Sequence, residues 1–115
     1  MTEREHFIED IAETALYGGI GYWAVAEQVG EYGARYRCRI SEFDESTGKP
    51  EGKSDNLLLA IQRGIEKARD PEVQVNPQIR SSIVTSDIAN DGGGIDADCA
   101  DVVVQLGMFG RIVYG

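Results

Sequence analysis

The sequence holds a single histidine, His6, and that scarcity limits the chemistry open to the chain. A Ser-His-Asp or Cys-His set needs an imidazole beside its nucleophile, whereas His6 lies in the polar first turn of a helix-forming stretch. Cysteine is nearly as scarce. Cys38 falls in a strand-like alternation and Cys99 in an apolar stretch, so both read as small core side chains in a reducing compartment. No apolar run approaches the roughly 18 residues of a membrane span, and the acidic start lacks a secretory signal's basic region, so the expected location is cytoplasmic. Basic residues are outnumbered, 11 Lys and Arg against 20 Asp and Glu, for a formal charge of −9. Direct nucleic-acid binding, which rests on neutralising phosphates, is therefore not expected. Such a charge suits solubility or a basic partner.

What is present is enough for one domain, residues 1–115, expected to bury roughly 65% of its unfolded surface. Thr2 and Glu5 form a T-x-x-E capping box ahead of Phe7, Ile8, Ile11, Ala12, Ala15 and Leu16 at helical spacing, with Gly18-Gly19 as the stop. From Gly21 the period changes to two. Residues 22–29 read as a strand, 30–33 as a turn and 34–42 as its antiparallel partner. In that partner Tyr36, Cys38 and Ile40 face one way, and Arg35, Arg37 and Arg39 the other. Residues 43–53 are polar and rich in turn formers, which predicts an exposed, mobile loop. Ser54 is the expected cap of a second helix carrying Leu57, Leu58, Ile61, Ile65 and Ala68, ending near Asp70-Pro71. Asn76-Pro77 opens a third helix, and Asn90-Asp-Gly-Gly-Gly94 breaks it. Asp96 or Asp98 caps the last helix, whose apolar positions surround it so fully that it must be buried. The expected fold class is α+β, in the order α-β-β-α-α-α, with an antiparallel hairpin on a helical layer.

The glycines at 92–94 precede a helix, yet neither phosphate-loop motif is present and nearby aspartates repel phosphate. Counted from Asp87, a calcium loop is spoiled by Ala89 at its third position and Gly94 at its eighth, and it ends on Asp98 instead of Glu. Asp96, Asp98 and Asp101 offer an alternative, a magnesium- or manganese-dependent phosphoryl-transfer site, although capping accounts for acids at a helix start. The arginine row is more informative. Arg35, Arg37 and Arg39, with Tyr22 and Trp23 as an aromatic wall, form a candidate site for a small anionic, nucleotide-like ligand. Pairing with Glu27, Glu31 and Glu42 would instead make that face an ordinary solvated one.

The stretches T-A-L-Y-G-G-I-G-Y-W, residues 14–23, and I-D-A-D-C-A-D-V-V-V-Q-L-G-M-F-G-R-I-V-Y-G, residues 95–115, resemble the two signatures of an uncharacterised family of small actinobacterial and actinobacteriophage proteins. The resemblance implies a phage-associated accessory protein and carries no catalytic residue with it. In physical terms, Ala12, Ala15, Ala97 and Ala100 allow the first and last helices to approach closely, and Gly107 suggests either close backbone packing or a break. The expectation is a non-enzymatic binding protein without a cofactor. Its partner would be a host protein or a small anionic ligand, and its strand edges make a homo-oligomer plausible.

Overall fold

The computed structural model describes residues 2–28 and 36–115, and its first helix, α1, runs Glu3–Thr14. The capping box forms as expected, Glu5 N donating to Thr2 Oγ1 at 3.1 Å. The helical segment ends at Gly19, as expected, but it is α-helical only to Thr14. It widens into a π-helical turn, Ala15–Gly19, whose end rests against the chain's last helix: a Cβ on Gly19 would stand 3.0 Å from the Ala97 carbonyl oxygen. Small residues thus bring the first helical segment onto the last, as their spacing suggests.

Strand β1, Ala24–Gln28, starts two residues later than expected, because residues 21–23 form a turn. It pairs antiparallel with β2, Cys38–Phe43, in a register that sets Ala26 opposite Ile40 and Glu27 opposite Arg39. The expected connecting turn, at 30–33, lies outside the described residues. Correcting the expected loop, the polar stretch after Phe43 turns at Asp44–Gly48 and returns as a third strand, β3, Pro50–Asn56. Asp44 fastens that turn: its carbonyl accepts from Gly48 N at 2.7 Å, its carboxylate accepts from Ser46 N at 2.7 Å, and Gly48 takes φ 69°. The sheet order is β1-β2-β3, antiparallel throughout, and the fold class is α+β.

Asn56, not Ser54, caps α2, Leu57–Arg69, accepting from Leu59 N at 3.0 Å. Asn76 caps α3, Pro77–Ala89, whose last turn ends on left-handed Asn90. Asp96 caps α4, Ala97–Phe109, accepting from Cys99 N at 2.8 Å; that bond holds the Asp96 carboxyl below its ordinary range. As expected, α4 is buried on most sides, through Cys99, Ala100, Val103, Val104, Leu106 and Met108.

The core forms where α2 crosses α4. Leu57, Ile61, Ile65 and Val103 are at most 2% exposed, and each such side chain contributes about 1.5–3 kcal/mol on leaving water. Two polar fixtures brace this frame. Asp87 of α3, buried, lies 2.6 Å from Arg69 Nη1 of α2 and 2.5 Å from Arg4 Nη1 of α1. The Arg4 contact is Coulombic rather than an aligned hydrogen bond, since Nη1 donates to Asn90 Oδ1 at 3.0 Å. Arg80 of α3 donates to the carbonyls of Ala68 and Asp70, both at 2.7 Å, and to that of Val73, satisfying acceptors left over at the C-terminal end of α2.

Candidate functional site

Among the described residues, the arginine row and its aromatic wall do not come together. Arg37 and Arg39 are exposed, opposite in sense to buried Cys38 and Ile40, so the expected alternation holds over the described residues; Arg35 lies outside them. Arg39 donates from Nη2 to Ser54 Oγ at 3.0 Å across β2 and β3. Arg37 lines a groove of about 410 Å³ between α1 and α2, where Glu5, Glu9 and Glu66 accompany it and Arg4. Tyr22 and Trp23 turn toward α4 instead. Trp23 is 3% exposed, which removes it from any ligand's reach on the arginine face.

The acceptor that draws both aromatics is Asp101, on the exposed side of α4's second turn. Trp23 Nε1 donates to Asp101 Oδ1 at 2.8 Å and Tyr22 Oη to Oδ2 at 2.5 Å. A buried indole needs such a partner. One helical turn on, Gln105 Nε2 also donates to Asp101 Oδ1, at 2.8 Å, while Gln105 Oε1 accepts from Val113 N and Tyr114 N, both at 2.8 Å. The side-chain amide therefore holds the segment after α4 much as a neighbouring strand would. Tyr114 in turn stacks on Trp23, with ring centroids 5.1 Å apart and planes inclined by 8°, and its hydroxyl donates to Glu42. The two stretches singled out in the sequence, at 14–23 and 95–115, meet in this network.

Beside it opens a groove of about 910 Å³, bounded by α4, the segment 71–76, the start of α3 and the chain beyond Gly110. Val75, Ile79, Val102 and Ile112 supply apolar surface, and Tyr22, Asp98 and Asp101 form one rim. Tyr22 is half exposed, and its phenol is pushed up to about 12, first by burial and then by the hydrogen bond and charge of Asp101. It therefore stays protonated and acts as a donor. Arg80 is the groove's cation, but three backbone carbonyls already engage its guanidinium.

Asp96, Asp98 and Asp101 do not converge. Asp96 is committed to its cap and Asp101 to its three neutral donors; among the described residues, no group of three His, Cys, Asp or Glu stands ready for a metal ion. Asp87, the first position of the calcium pattern, is taken by arginines. Cys38 and Cys99 are free and buried, and burial, aided by Asp96, pushes the Cys99 thiol up to about 11, far from a reactive thiolate. Among the described residues no helix is long and apolar enough to cross a membrane.

The groove and network escaped sequence reasoning because placing Tyr22 in a strand assigns its side chain by alternation, whereas it sits in the preceding turn. The available signal was Asp101 with Gln105, two polar residues one turn apart on a largely apolar helix. Compared with protein-family models, curated proteins and solved structures, the chain matches none.

Proposed function

We propose that this chain is a non-enzymatic binding protein, a phage-type accessory factor that engages a host protein through the groove between α3, α4 and the segment beyond Gly110. The observation that supports this reading is the groove's make-up: about 910 Å³ of open space with apolar walls and a polar rim on which Tyr22 and Asp101 are hydrogen-bonded to each other. The groove's phenols, Tyr22 and Tyr114, are both pushed above their ordinary range and stay protonated at neutral pH. No imidazole or thiol lines the groove, so recognition fits it better than turnover.

The test is co-purification from a host lysate with wild type and Val102→Glu side by side. A partner retained by wild type and lost by the variant supports the groove; equal retention moves the interface elsewhere.

A second reading keeps the small anionic ligand on the arginine side. In its favour, Arg37 lines its own groove and has no hydrogen bond or ion pair among the described residues. A nucleotide panel that raises Tm for wild type and not for Arg37→Ala would support it, and a flat response across the panel removes it.

A further inference from the structure

We infer that the α3–α4 groove selects a cationic side chain with an aliphatic stem, of lysine or arginine type, carried on an extended segment of the partner; this deepens the binding reading above and rests on it.

Charge complementarity is the first ground. The ion pairs among the described residues are Arg4–Asp87, Arg69–Asp87 and Arg63–Asp55, and none involves the groove's acids. Arg80, the lining cation, is turned to backbone carbonyls. Asp98 and Asp101 thus face the groove without an ion pair among the described residues and outnumber Arg80 there, on a protein of charge −9 that attracts basic partners over long range.

The second ground is how Asp101 is held. A carboxylate offers roughly four acceptor positions, and Trp23, Gln105 and Tyr22 occupy three of them. All three donors are neutral, so the charge persists and one acceptor position on Oδ2 remains. Asp98 precedes Asp101 by three residues, a spacing that makes them neighbours on the helix surface and mutually repulsive. A bound ammonium or guanidinium between them relieves that repulsion.

The apolar wall accounts for the stem. Val102 and Ile112 border the acids, and the Tyr22 ring, 53% exposed, gives a flat face for methylenes or a guanidinium. About 910 Å³ exceeds one side chain, which favours a segment over a free amine. Phosphates are disfavoured by the same acids.

The probes are the capped peptide Ala-Leu-Ala-Lys-Ala-Leu-Ala, its norleucine counterpart at the central position, and free agmatine, each titrated into the full chain and followed by amide NMR shifts. The lysine peptide is expected to shift Val102, Ile112 and Tyr22 and to bind about 3- to 5-fold tighter than the norleucine peptide, the gain of an exposed ion pair. That gain should vanish at 1 M salt and in Asp98→Asn, whose exposed carboxylate makes no hydrogen bond or ion pair among the described residues. Equal binding of both peptides in the groove overturns the cationic preference and leaves the binding reading standing. Agmatine binding as tightly as the lysine peptide overturns the extended segment. No groove shift with any probe overturns the inference and counts against the groove itself.

Discussion

Gly64 of α2 and Gly107 of α4 each lie against the other helix's backbone. A Cβ on Gly64 would stand 1.8 Å from the Val103 carbonyl oxygen, and one on Gly107 1.7 Å from that of Ala60. Neither neighbour can yield by rotating a side chain. The mid-helix glycine at 107 is therefore a close-packing residue and not a break.

Alanine at either position should destabilise the protein by about 2–4 kcal/mol, despite alanine's better helix propensity, because the helices must separate. Urea unfolding of Gly64→Ala and Gly107→Ala measures this. An unchanged midpoint would mean the helices are not in contact there.

Removing Asp87 withdraws the anion that joins three helices. Asp87→Ala is expected to cost about 2–3 kcal/mol by thermal or urea unfolding. Arg4→Ala and Arg69→Ala should each cost less, since the carboxylate keeps one guanidinium. The double variant should exceed their sum, because it leaves a buried charge with no partner.

Trp23 is the only tryptophan, so its emission reports the segment beyond Gly110 directly. Tyr114→Ala should red-shift that emission and cost about 1–3 kcal/mol through loss of the stack. Tyr114→Phe keeps the ring and should hold the emission within a few nanometres while losing about 1 kcal/mol with the Glu42 bond. Gln105→Leu should also red-shift it, by freeing the backbone of Val113 and Tyr114.

Tyr22 should titrate near pH 12, resolved as the difference in phenolate absorbance between wild type and Tyr22→Phe. Its folded value lies above the ordinary 10, so the associated stability is complete below pH 10 and lost as pH rises toward 12. The stability gap between wild type and Tyr22→Phe should narrow across that interval. A titration near 10 would show that the Asp101 bond is not formed in solution.

The helices were legible because their ends carry caps that act locally: Thr2 with Glu5 and Asn76 with Pro77 are read correctly from neighbours three residues away or fewer, and Asp96 is one of the two caps read for the last helix. β3 was not, because Pro50, Glu51, Gly52, Lys53 and Ser54 are all exposed. With neither face buried, no alternation marks the strand, and its pairing with β2 is a tertiary fact. The candidate site failed to show for a related reason. Tyr22 and Trp23 precede β1, so strand parity does not govern them; what orients them is Asp101, 78 residues beyond Trp23.

Asn56 is at once the last residue of β3, paired with Arg39, and the cap of α2. Sheet and helix are consequently joined by a rigid elbow with no slack. Force applied at the Gly48 tip would travel along the hairpin into α2 as through a lever arm. An extra residue spliced in after Asn56 would throw strand pairing and helix phase out of step, whereas the same residue at Gly48 would only lengthen the tip.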